Sequence, residues 1–204
     1  WDAQRPMVKA RMAEDGLRLL YAVPWPGQGF YTKAEIAGLG DMEGKSFRTY
    51  NASTARMAEL MGATPTIVEA VEIPQAFSTG IVDAMVTSGA TGVRTKAWDF
   101  SSHFYHLQAW LPKNMIFVNE DAFSALSEAE QEAVLAAAAV AETRGWAMSE
   151  EASASSVEEL ATHLTVHEPS ESLSAELAAI GETMAAEWAE TAGEDGSALL
   201  SAVE

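Results

Sequence analysis

The stretch Gly44-Lys45-Ser46-Phe47-Arg48-Thr49-Tyr50-Asn51 decides how the rest of the chain is read. Ser46 to Tyr50 reads as a short strand running straight into a helix that opens near Asn51. That order sets a guanidinium, Arg48, at the carboxyl end of a strand. Open α/β sheets bind their ligands in the crevice beyond such ends. Arginine's planar fork meets a carboxylate with two parallel hydrogen bonds, which a lysine ammonium cannot do. Two readings of Arg48 stand side by side: a solvated strand residue, as most arginines are, or the wall of a binding cleft.

Downstream of this strand the pattern repeats. Asn51 or Ser53 caps a helix with Met57, Leu60 and Met61 as its apolar stripe, and Gly62 closes it. Thr64 to Val71 reads as a β-branched strand, Pro74 to Gly80 as a short helix and Ile81 to Thr87 as a further strand. Ser88-Gly89-Ala90-Thr91-Gly92 then leads into a helix through Trp98. Strand and helix alternating at this spacing indicate a parallel α/β layer. Upstream lie a helix over Asp2 to Glu14, a strand over Leu17 to Val23, and extended structure at Phe30-Tyr31-Thr32 after the Pro24–Gly29 break. Toward the C-terminus, Phe104 to Leu111 and Asn114 to Val118 read as strands around Pro112. Ser127-Glu128-Ala129-Glu130 is a capping box opening an alanine-rich helix to about Leu160, with Gly145 as a kink point. A short strand at Thr165 to Glu168 precedes a helix over Leu173 to Thr191.

The charge is unevenly placed. Of a net −18, residues 1–113 contribute nothing, with 11 Lys+Arg against 11 Asp+Glu; residues 114–204 hold Arg144 against 19 acids. An acidic excess argues against nucleic acid and anionic membrane surfaces as partners. Hydrophobic content of 48% is that of a globular chain. No apolar run approaches the roughly 18 residues of a membrane span, so no direct membrane insertion is expected. With no cysteine there is no disulfide framework, thiolate metal site or cysteine nucleophile.

Few residues suggest chemistry. His103/His106 and His163/His167 lack the HExxH pattern, so no metal is expected, and no nucleotide loop or nucleophile elbow implies a cofactor or a covalent mechanism. Thr87 and Ser88 join a strand to a helix amino terminus, where hydroxyls and N–H groups can hold an anion; a plain turn is the alternative. Trp25, Tyr31 and Trp110 lie beside loops or prolines, where aromatic rings either line ligand clefts or pack the core.

Four segments together resemble the solute-binding proteins of tripartite ATP-independent periplasmic (TRAP) transporters. Asp41-Met42-Glu43-Gly44-Lys45-Ser46-Phe47-Arg48-Thr49 is similar to that family's "DLKGLKIRV" strand, and Met57 to Pro65, with Gly62-Ala63-Thr64-Pro65, to its "LGA-P" turn. Gln75 to Ala84 resembles "ALQ-G-VDG", and Leu126 to Gln131 resembles "LSPEDQ". The resemblance implies a two-lobe α/β fold spanned by a long helix, with a cleft between lobes. Residues 1–25 and 114–153 would be the remnant of the first lobe, and 26–113 with 154–204 the second. It implies a non-catalytic periplasmic receptor that captures a small organic acid and delivers it to TRAP membrane subunits. Arg48 falls on the carboxylate-clamping arginine of the family. Thr87 and Ser88 replace a ligand-holding asparagine, and Gln28 falls near a second arginine of sialic-acid binders, which disfavours a sialate. Trp25, Tyr31, Asn51 and Trp110 complete the expected ligand set.

Family members run to about 300 residues, so most of one lobe is expected to be absent. Its uncovered apolar faces leave open an incomplete piece, a missing partner piece, or a homodimer formed by exchange between chains. Two other classes compete: an enzyme on a similar α/β scaffold acting on a carboxylate, and an acidic helical interaction module built on residues 127–204.

Overall fold

The computed structural model describes residues 1–202. Internal packing divides the chain into two compact units, the first made of residues 1–25, 113–149 and 186–204 and the second of 26–112 and 150–185. The expected division put all of residues 154–204 in the second lobe; residues 186–204 group with the first unit instead.

The first unit is built on a two-stranded antiparallel ribbon. Helix α1 (Arg5–Glu14) leads through Gly16 into β1 (Leu17–Pro24), which pairs with β7 (Lys113–Asn119) from Leu17↔Asn119 to Pro24↔Lys113, with a bulge between Leu19 and Tyr21. Helix α5 (Glu120–Ser124) follows directly, capped by Asn119, whose side chain accepts from the Ala122 N–H. Arg18 clasps Glu120 with two hydrogen bonds of 2.9 and 2.6 Å and lies over the Phe123 ring. The long helix α6 (Glu128–Ala161) begins where expected, on the Ser127/Glu130 capping box. Gly145 does not end or split it. A Cβ there would stand 2.5 Å from Val23 Cγ2, so this glycine lets the helix approach β1 closely. Beside it, Trp146 Nε1 donates to the Ala22 carbonyl at 3.0 Å.

The second unit is a six-stranded sheet of order β4-β3-β5-β2-β6-β8, with strands β2 (Gln28–Thr32), β3 (Ser46–Thr49), β4 (Thr64–Ile67), β5 (Ala84–Ser88), β6 (His103–Trp110) and β8 (Thr165–His167). It is mixed rather than parallel throughout. β3 runs parallel to β4 and β5, and β6 to β8, but β2 is antiparallel to both its neighbours. The cause lies in the connection from Thr32 to Ser46. Thr32 and Phe47 both pair with Ala84, so this loop starts and ends at one end of the sheet and reverses the chain without a crossover.

Alternation along the strands builds two cores. Phe30, Phe47, Val86 and Tyr105 pack with Met57 of helix α2 (Ala52–Leu60), with Met61 just past its end, and with Leu173, Leu177 and Ile180 of helix α7 (Glu171–Ser201). Tyr31, Met85 and Phe104 face the other way, against Ile73, Ala76 and Phe77 of helix α3 (Ile73–Ser78), Val93 of helix α4 (Gly89–Thr95), and Val157 and Leu160 of α6. One strand and one helix are shorter than expected. β4 stops at Ile67, which pairs with Thr49 of β3, and Ala70–Glu72 form a 3-10 turn instead of continuing the strand. α4 stops at Thr95 because Lys96 adopts a left-handed conformation. Helix α7 breaks stride at Gly193, whose φ of 64° is non-helical.

Candidate functional site

One end of the six-stranded sheet gathers most of the residues singled out above. Gln28 opens β2 and pairs with Ser88, the last residue of β5, on one side and with Trp110, the last of β6, on the other. β3 is parallel to β5, so Arg48 and Tyr50 leave the sheet at this same end. The strand carboxyl ends of β3, β5 and β6 therefore meet the start of β2, which is the location at which α/β sheets hold ligands. A local distortion makes this possible. The β2–β6 register shifts between Gln28 and Phe30, and Gln108 takes a left-handed conformation of φ 49°. A Cβ on Gly29 would fall inside contact distance of the Tyr105 carbonyl oxygen and the Phe104 ring, so only glycine fits beneath the bulge.

Arg48 is 4% exposed. Its Nε donates to the Val68 carbonyl at 2.9 Å and its Nη1 to the Val86 carbonyl at 3.3 Å. Its Cζ lies over the Tyr50 ring, 4.9 Å from the centroid. Among the described residues no carboxylate pairs with it. Burial pulls the guanidinium below its ordinary value, while Tyr50 and the more distant Glu69 act in the opposite sense. An arginine side chain stays protonated in proteins. The site thus holds a fixed, desolvated cation that no protein carboxylate contacts directly, Glu69 acting on it without an ion-pair contact. Buried charges are ordinarily paired, and this one meets no carboxylate within ion-pair distance.

Tyr50 was not among the expected site residues, although its position two residues beyond Arg48 is the signal that would have found it. Its hydroxyl donates to Gln28 Oε1 at 3.0 Å, and Gln28 itself is 5% exposed. Burial pushes the Tyr50 phenol up, against the opposing effects of the Gln28 bond and Arg48, so the phenol is a donor at neutral pH.

The remaining expectations divide. Thr87 is buried beside Gly29 at this sheet end, and Trp110 is half-buried there, packed on the core of Phe30 and Phe47. Ser88 is present but committed: its hydroxyl accepts from the Thr91 N–H at 3.1 Å and caps α4, so it does not offer the free anion-holding turn that the sequence suggested. Asn51 acts as the N-cap of α2, with Oδ1 accepting from the Thr54 N–H at 2.8 Å and from Thr54 Oγ1 at 2.9 Å. Tyr31 is a core residue, not a wall. It is fully buried, tilted against Phe104 with ring centroids 4.5 Å apart, and its hydroxyl donates to the Ser88 carbonyl. Trp25 ends the first segment of the other unit and is half-buried.

The histidines pair differently from their sequence spacing. His103 Nδ1 and His167 Nε2 lie 2.9 Å apart across the β6–β8 seam, and the His167 ring stacks on Tyr105. His163 stacks on Trp98. Among the described residues no group of three or more His, Asp or Glu side chains is arranged to hold a metal. No helix is long and apolar enough to cross a membrane, also among the described residues.

Comparison with known proteins supplies the context for this geometry. The family model "Bacterial extracellular solute-binding protein, family 7" (DctP) matches residues 3–195. DctP7 of Bordetella pertussis, an extracytoplasmic solute receptor binding pyroglutamic acid, is 45% identical, with a TM-score of 0.95 over 99% of this chain and 67% of its own. A TRAP solute-binding protein from a marine metagenome, specific for pyroglutamate, is 38% identical with a TM-score of 0.93 over 99% of this chain and 67% of its own. The ectoine-binding protein of Halomonas elongata, 24% identical, has a TM-score of 0.88 over 98% of this chain and 66% of its own, and shares the fold. No match was found among curated proteins. The matched family and these relatives are solute-binding receptors rather than enzymes, which sets aside the carboxylate-processing alternative. The chain belongs to the DctP family, the bacterial extracellular solute-binding proteins of family 7.

Proposed function

We propose that the solute carried by this receptor is a small carboxylate of the pyroglutamate type, and that Arg48 is the group that holds its carboxylate. The observation that carries this reading is the buried guanidinium fixed by two backbone carbonyls and left without a protein anion. A carboxylate arriving there gains charge-assisted hydrogen bonds in a site already stripped of most of its water. The choice of pyroglutamate draws support from relatives at 38 to 45% identity described as binding it. We place the receptor in the periplasm, where it passes its solute to TRAP membrane subunits. Gln28, Thr87 and Trp110 accompany Arg48 at the same sheet end and are proposed to line the solute.

A competition series on the full-length protein tests the reading. Pyroglutamate should displace a labelled carboxylate probe, and its uncharged carboxamide should not. Equal competition by acid and amide would remove the carboxylate from recognition.

A further inference from the structure

Tyr50 touches both polar groups of the site at once. Its ring lies under the Arg48 guanidinium, and its hydroxyl ends on the Gln28 carboxamide oxygen. A carboxamide has one acceptor oxygen and two N–H donors. With the oxygen taken by the phenol, Gln28 presents its N–H donors away from Tyr50. Among the described residues, the buried side-chain polar atoms lacking any partner are Thr49 Oγ1 and His106 Nε2. The Gln28 nitrogen, which no protein acceptor meets, is therefore not fully shut off from solvent. The same holds for Arg48 Nη2, whose neighbours Nε and Nη1 are the nitrogens anchored on Val68 and Val86.

We infer that Tyr50 is a positioning residue that orients the Gln28 carboxamide, and that the Gln28 N–H donors read a carbonyl oxygen of the solute at a set distance from its carboxylate. The inference rests on Arg48 holding that carboxylate. It adds a chemical requirement to it: the solute carries a second, neutral acceptor beside its carboxylate. A lactam acid meets this requirement, and a simple cycloalkane carboxylate does not. A second carboxylate is a poor substitute as well, because Gln28 offers it no positive charge.

The discriminating pair of probes is pyroglutamate and cyclopentanecarboxylate, which keeps the ring and the carboxylate and lacks the lactam. Relative affinities are measured by competition on the full-length protein, its Tyr50→Phe variant and its Gln28→Leu variant, with melting curves to confirm folding. Tyr50→Phe retains the ring beneath Arg48 and removes the hydroxyl alone. Losing one oriented neutral hydrogen bond should weaken pyroglutamate about tenfold. Cyclopentanecarboxylate should stay within about twofold, so the preference collapses in both variants. If both probes weaken together, or the preference survives both substitutions, Tyr50 and Gln28 do not read the carbonyl and the inference fails alone. If the wild-type protein shows no affinity for pyroglutamate, the proposed solute fails and takes the inference with it.

Discussion

The Cζ atom of Arg48 lies over the face of Tyr50, 4.9 Å from the ring centroid, and this ring takes the place that a carboxylate ordinarily takes beside a buried cation. An aromatic face attracts a cation without neutralising it. The arrangement keeps Arg48 charged, oriented and short of an anion, which costs stability in the absence of solute. Replacing it by an apolar residue of similar length should therefore be tolerated. Arg48→Met is expected to melt within about 1 kcal/mol of the wild type, or above it, in solute-free protein while binding is lost. A loss of more than about 3 kcal/mol in a denaturant titration would mark Arg48 as a structural group instead.

Asn51 offers a contrasting case. Its side chain closes the first turn of α2 through Thr54, so Asn51→Ala should cost about 1 kcal/mol in chemical denaturation. Solute affinity should be unchanged. A marked fall in affinity with little change in stability would return Asn51 to the binding set.

Gly29 underlies the bulge that brings Gln28 and Trp110 together. Gly29→Ala forces a Cβ into the Tyr105 carbonyl oxygen and the Phe104 ring. Neither neighbour is the free end of a flexible chain, so the sheet must shift, at a cost of about 3 kcal/mol. A melting temperature equal to that of the wild type would contradict the tight crossing of β2 and β6.

Acid should loosen the first unit through Glu142. Burial pushes this carboxyl up, but hydrogen bonds from Arg5, the Ala22 N–H and Trp1 outweigh it and hold it below its ordinary 4.5. A carboxylate depressed on folding contributes stability above its unfolded value and loses it as pH falls through the folded one. Glu142→Gln should thus be less stable than the wild type by about 1–2 kcal/mol at pH 7, and the gap should close below pH 4.5. Circular dichroism melts across that range read the gap directly. A gap constant with pH would assign the effect to packing.

Much of this was legible before any coordinates. The Ser127/Glu130 capping box marked the start of α6 to within a residue, because a cap is written in adjacent residues. The placement of Arg48 near the end of a strand and just before a helix cap was legible for the same reason, since these follow one another locally. The antiparallel insertion of β2 was not, because strand order depends on which end of the sheet the Thr32–Ser46 loop returns to. Tyr31 and Trp110 looked alike in sequence, yet one is sealed in the core and the other half-exposed at the sheet end. Alternation tells which residues share a face; it does not tell which face a helix covers. Tyr50 stands two residues beyond Arg48, but its other partner, Gln28, reaches it only through the sheet.

Calorimetric titration of pyroglutamate into the full-length protein and into Arg48→Ala is the most direct measurement. Removing one side of a desolvated arginine–carboxylate pair costs on the order of 3–5 kcal/mol, so affinity should fall by about two orders of magnitude or more. Equal affinity in the two proteins would show that the solute's carboxylate is held elsewhere.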